Sequence, residues 1–193
     1  YNVEPGTNPG FLYQQNTLRD ALLAGVSLNI FHKHCDRVKM ANIAQMVNVL
    51  QAMILTEGEK MILTPTYHVF DMYKVHQDAT LLPIEVKCSN YERLGRSLPA
   101  VSASASKDKN GAIHISLVNI DPANDIEISC AVRGTNAANV SNAQIITGEN
   151  VRACNTFDKP ENVRLANFKG AKYKNGELTM KIPAKSLVTI ELK

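Results

Sequence analysis

Beyond Asp78 the apolar residues of this chain recur at every second position, and that period constrains the fold more than any other feature. Ile113, Ile115 and Leu117 alternate with His114 and Ser116, Ile126, Ile128 and Cys130 with Glu127 and Ser129, and Val188, Ile190 and Leu192 with Thr189 and Glu191. Successive side chains of a strand point to opposite faces, so each run predicts a half-buried antiparallel strand. Asn110-Gly111 and Asn175-Gly176 lie between such runs and have the chemistry of hairpin turns. Seven or eight short strands with turn signals between them predict an antiparallel, jelly-roll-like β-sandwich over residues 79–193.

Before Asp78 the pattern is helical. Thr17 with Asp20 is a weak form of the capping box, and Leu18, Ala21, Leu22, Leu23, Val26 and Ile30 follow, predicting a helix over 17–34 that neighbours cover on most sides. Thr64-Pro65 opens a second helix through Val69, Met72, Tyr73 and His76. Between them VKMANIAQMVNV, residues 38–49, is an apolar run whose amide side chains are Asn42, Gln45 and Asn48. It predicts an internal parallel strand feeding a site at the mouth of a β/α barrel. Residues 50–63 read as a long loop with a charged turn at Glu57-Gly58-Glu59-Lys60, and residues 1–16 as a Pro- and Gly-rich loop. The expected fold class is therefore mainly β with an α/β remnant. Residues 1–78 are the last helix-strand-helix portion of a (β/α)8 barrel, and residues 79–193 the sandwich.

Composition excludes several function classes. Hydrophobic residues make up 45% and charged residues 20%, as in ordinary globular domains. The formal charge of +3 is spread over 21 Lys+Arg and 18 Asp+Glu, without the basic patch that nucleic-acid binding requires. No apolar run reaches the roughly 18 residues of a membrane span, so neither nucleic acid nor membrane is an expected partner. The chain has no Trp, which argues against a stacking platform for sugars. Tyr1 is followed by no leader-like segment, and the chain looks cut from something longer. Cys35, Cys88, Cys130 and Cys154 form no CxxC pair and read as small apolar fillers, with two disulfides left open. Asn139 heads an Asn-Val-Ser sequon.

Candidate chemistry is sparse. His32, His34 and Cys35 are metal-ligand types, but His32 and His34 are about 200° apart on a helical wheel, so hydrogen-bonding roles near a helix C-terminus are expected instead of metal. No nucleophile-elbow motif is present. Glu57 and Glu59 lie in a solvated turn, Asp36 is beside Arg37, and Asp71 is on a helix face. No cofactor is expected. Gln45 stands apart, because its amide falls near the C-terminal end of the predicted strand and can both donate to and accept from sugar hydroxyls. Asn42 and Asn48 read as structural.

Three segments, NTLRDALLAGVSLNIFHKHCDRVKMANIAQMVNVLQAMILT, TPTYHVFDMYKVHQDA and the loop after Tyr1, together resemble the carboxyl-terminal part of α-L-arabinofuranosidases of glycoside hydrolase family 51. The likeness is specific over residues 1–80 and architectural beyond. It implies a retaining hydrolase that removes terminal α-L-arabinofuranosyl groups with two carboxylates about 5 Å apart. In that family the nucleophile lies in an Asp-Glu-Trp motif just before the position that matches Tyr1, and the acid/base glutamate is further upstream. The resemblance thus implies no catalytic residue in this chain, Gln45 as a contact to bound arabinose, an arabinose-containing oligo- or polysaccharide as substrate, and a homo-oligomer. Residues 17–76, without barrel neighbours, are expected to be loose, repacked or paired with a second copy. An autonomous sandwich module that binds carbohydrate or protein is the alternative.

Overall fold

The computed structural model describes residues 6–8, 10, 12, 14 and 16–193, so Tyr1 and most of the predicted N-terminal loop lie outside the described residues. Helix α1 spans Leu18–Lys33. Thr17 precedes it, and the Asp20 carboxylate accepts from both the Thr17 N–H at 2.9 Å and its hydroxyl at 2.8 Å. Two of the amides that a helix start leaves unpaired are satisfied from elsewhere, since Leu18 N–H donates to the Ala153 carbonyl and Arg19 N–H to that of Val151. Helix α2 spans Pro65–Tyr73, with Pro65 at its first position and the Thr64 hydroxyl accepting from the Tyr67 N–H. A 3-10 turn, Lys74–His76, continues it.

The region between the helices departs from expectation. Residues 38–49 belong to no sheet, and their one β-type contact is an isolated parallel bridge between Val47 and Ile54. An internal parallel strand needs a ladder partner on each side, and among the described residues only that one bridge is made. The predicted long loop is instead a hairpin, β1 (Ile54–Glu57) with β2 (Lys60–Leu63), turning at Gly58 with φ +57°.

Residues 80–192 form eleven strands rather than seven or eight. They are β3 (Thr80–Leu82), β4 (Asn90–Arg93), β5 (Arg96–Pro99), β6 (Val101–Lys107), β7 (Ile113–Asn119), β8 (Ile126–Ala131) and β9 (Val140–Ile146), then β10 (Ala166–Asn167), β11 (Lys172–Lys174), β12 (Glu177–Ile182) and β13 (Ser186–Leu192). Six make an antiparallel sheet in the order β10-β9-β13-β7-β6-β3, three a sheet in the order β11-β12-β8, and β4 with β5 a separate hairpin. Asn175 and Gly176, both at positive φ, turn β11 into β12 in the manner that matches strand twist. Between the two larger sheets lies one apolar core, with Ala103, Ile115, Leu117, Val188, Ile190 and Leu192 on one side and Leu178, Met180 and Ile182 on the other. Cys88 and Cys130 pack against this core as fillers, whereas Cys35 is exposed, which corrects the filler reading at that position.

The opposite face of the six-stranded sheet carries the helices. Leu18, Leu22, Val69, Met72 and Tyr73 pack with Val118, Ile146 and Leu187 in a second core. Gly25 sits where α1 comes closest to the sheet, and a Cβ there would run into Leu187 Cδ1 and Val118 Cγ2. The helices expected to lie open are thus buried on one side. What stays open is the outward face of α1, where Leu23 is 60% exposed, together with Ile30 and Phe31.

Candidate functional site

Gln45 lies in the irregular segment after α1, exposed, with Met40 (76% exposed) and Met46 as apolar neighbours in sequence. Its amide engages no other described side chain, so both its donor and its acceptor are open to a ligand. The chain just after it is held tightly. The Met46 carbonyl accepts from the N–H groups of Met53 (3.1 Å) and Ile54 (3.0 Å), and Asn48 N–H donates to the Ile54 carbonyl at 3.0 Å. Asn48 has φ +62° at the centre of a three-residue turn that Val49 N–H closes on the Val47 carbonyl at 2.8 Å. Its side chain bonds Thr56 of β1 twice, Nδ2 donating to Oγ1 at 2.9 Å and Oδ1 accepting the Thr56 N–H at 2.7 Å. Gln51, nearly buried, donates to the Asp20 carbonyl and to Thr66 Oγ1, which ties the end of the segment to both helices.

The acidic side chains weighed from the sequence are dispersed. Glu57 and Glu59 are exposed at the β1–β2 turn, Asp36 is exposed after α1, and Asp71 takes the Lys74 ammonium at 2.7 Å. Asn42 is exposed as well. His32, His34 and Cys35 do not converge: His34 follows the helix end, Cys35 is exposed, and His32 turns inward to Ser104 Oγ at 3.0 Å. Among the described residues no three His, Cys, Asp or Glu side chains are grouped to hold a metal ion.

Sequence reasoning missed a polar seam between the helices and the sheet. Ser104 Oγ donates to Asn29 Oδ1 at 2.7 Å, Tyr73 OH donates to the same oxygen at 2.9 Å, and Asn29 Nδ2 donates to Ser102 Oγ at 3.2 Å. His76 lies between two hydroxyls, Nδ1 at 2.7 Å from Ser106 Oγ and Nε2 at 2.7 Å from Ser116 Oγ. Its ring centroid is 4.7 Å from that of His32 and 6.4 Å from that of His114. Burial, reinforced by those two imidazoles, lowers the His76 pKa to about 3, while burial also lowers His32 and raises the Tyr73 phenol. The signal for this seam was the alternation of Ser102, Ser104 and Ser106 with alanines, which puts hydroxyls on one face of β6. The seam joins the helical layer to the sheet.

Comparison with known proteins places this geometry. A family model described as the α-L-arabinofuranosidase C-terminal domain matches residues 1–186. The chain belongs to that family. An intracellular exo-α-L-arabinofuranosidase from Bacteroides ovatus is 53% identical over 193 residues, covering all of this chain and 37% of that protein. The crystal structure of the family 51 arabinofuranosidase from Xanthomonas axonopodis pv. citri superposes with a TM-score of 0.96 at 48% identity, over 100% of this chain and 39% of that one. The α-L-arabinofuranosidase of Thermotoga maritima, in an arabinose complex, gives a TM-score of 0.83 at 25% identity, over 96% of this chain and 40% of that one. This α-L-arabinofuranosidase C-terminal region therefore spans about two-fifths of the length of the relatives it matches. Its helical layer and sandwich are both part of that match, since the likeness covers the whole chain.

Proposed function

We propose that this chain serves as the carboxyl-terminal part of a retaining α-L-arabinofuranosidase that removes terminal α-L-arabinofuranosyl groups from arabinose-containing oligo- or polysaccharides. The observation that carries the reading is 53% identity, over the full chain, to the exo-α-L-arabinofuranosidase of Bacteroides ovatus. Retaining hydrolysis needs a nucleophile and an acid/base carboxylate facing each other across the scissile bond. The acids Glu57, Glu59, Asp36 and Asp71 described above form no such pair, and in this reading the rest of the enzyme supplies both carboxylates. Within the chain, residues 1–78 contribute to the catalytic barrel and residues 79–193 form the sandwich, with the division in the stretch between the 3-10 turn and β3. Gln45 contributes a hydrogen bond to the bound arabinose, a reading that its exposed, unengaged amide supports.

The exposed apolar side chains of α1 and of residues 40–47 support a covering by the remainder of the enzyme. In this reading the intact enzyme is a homo-oligomer. The test is release of p-nitrophenol from p-nitrophenyl α-L-arabinofuranoside. The full-length protein hydrolyses it and residues 1–193 alone do not. Turnover that copurifies with residues 1–193 alone overturns the reading, as does an inactive full-length protein.

A further inference from the structure

Among the described residues no backbone hydrogen bond holds residues 39–45, where Lys39 Nζ donates to the Cys35 carbonyl at 2.7 Å and Ala41 packs against the helix core, so the hydrogen bonds nearest Gln45 are those of the chain just after it. That anchor is the Asn48 turn. Asparagine is among the few residues other than glycine that enter the left-handed region readily, and its short amide can bond nearby backbone at the same time. Asn48 does both, turning the chain at φ +62° while its side chain spans eight residues to Thr56. The hairpin it grips is itself secured, because the Thr64 hydroxyl at its end donates to the Ala52 carbonyl at 2.8 Å and Asn155 Nδ2 donates to the Leu63 carbonyl at 2.8 Å. Three backbone bonds from Met53, Ile54 and Asn48 complete the anchor, and each engages Met46 or Asn48, one and three residues after Gln45.

We propose that Asn48 is the positioning residue for Gln45, its paired bonds to Thr56 holding the segment in the direction from which the Gln45 amide meets the sugar. The proposal rests on the reading of Gln45 given above. A group that binds through a supporting contact loses affinity when the support loosens, because the amide then has to be ordered on binding. Asn48 touches no substrate in this scheme and acts only through its neighbour.

The experiment measures KM and kcat for p-nitrophenyl α-L-arabinofuranoside in the full-length protein. Asn48→Gly still adopts φ +62° while it removes the side-chain bonds and frees the turn. It is expected to raise KM about tenfold, the equivalent of one to two lost hydrogen bonds, with kcat nearly unchanged. Asn48→Asp, which can still accept the Thr56 N–H and the Thr56 hydroxyl, is expected to recover most of that loss. Gln45→Ala raises KM on its own, and in its background Asn48→Gly adds less than twofold, the non-additivity of two residues that act as one unit. Thr56→Val removes one of the two side-chain bonds and leaves the turn intact, with a rise of about threefold expected. It is the variant read if Asn48→Gly fails to fold, and an unchanged KM in it then overturns the proposal. A native KM in Asn48→Gly beside a raised KM in Gln45→Ala overturns the positioning role while leaving the Gln45 reading intact. Full additivity of the two does the same. An unchanged KM in Gln45→Ala overturns the Gln45 reading and this proposal with it.

Discussion

The face of the six-stranded sheet that looks into the sandwich and the face that carries the helices are built from alternate residues of the same strands, yet they hold their layers by different means. Into the sandwich point Ala103, Ala105, Ile115, Leu117, Val188 and Ile190, all apolar and all buried. Toward the helices point Ser102, Ser104, Ser106, His114 and Ser116 at one end, with Val118, Ile146 and Leu187 at the other. The first face is held by removal of hydrocarbon from water, which is insensitive to pH and depends on volume. The second mixes that with hydrogen bonds, among them those of His76, whose imidazole burial keeps neutral. One sheet thus presents a pH-indifferent and a pH-sensitive side.

Three substitutions separate the two faces. Leu178, fully buried across the sandwich core, is expected to cost about 2–5 kcal/mol on Leu178→Ala, the same at pH 5 as at pH 7, by denaturant unfolding. A cost that changes with pH would mean the two faces are not independent. The second effect is acid sensitivity of the helix face. His76 is neutral in the fold, with its pKa lowered to about 3 from 6.5, so between those values the unfolded chain binds the extra proton. Stability from this group is complete above pH 6.5 and is lost as pH falls toward 3, by about 1.4 kcal/mol per pH unit. His76→Gln is expected to flatten that slope in a series of unfolding curves from pH 7 to 4, and an unaltered slope would remove His76 from the account. The smallest effect concerns Gly25. Alanine is the better helix former by about 1 kcal/mol, but its methyl would displace Leu187 and Val118, an overpacking cost of about 1–3 kcal/mol. Gly25→Ala is expected to lower thermal stability modestly, and a rise would show that α1 can lift from the sheet without cost.

Much of this architecture was legible in the residues. The period of two located β7, β8 and β13, Asn175-Gly176 gave the turn between β11 and β12, and Thr17 and Thr64-Pro65 gave the starts of both helices to within a residue. The hairpins β1–β2 and β4–β5 were not read. Their strands are four residues long, too short for a period to emerge, and their turns hold a single glycine each, Gly58 and Gly95, beside Glu59 and the unusual left-handed Leu94. Residues 38–49 show the limit of pattern reading. An apolar run specifies that a segment is to be buried but not that its partners are present, and here hydrogen-bonding neighbours decide whether it becomes a strand. The site followed the same rule: Gln45 could be singled out by an amide in an apolar run, whereas the bond of Asn48 to Thr56 depends on a hairpin the sequence did not announce.

The outermost strands of the six-stranded sheet, β3 and β10, are three and two residues long. A long flat border of unpaired amides is the template on which a further chain can add itself, and brief borders offer it too few bonds to offset the entropy of being ordered. With helices over one face and a second sheet over the other, the largest sheet thus leaves little border on which another chain could extend it.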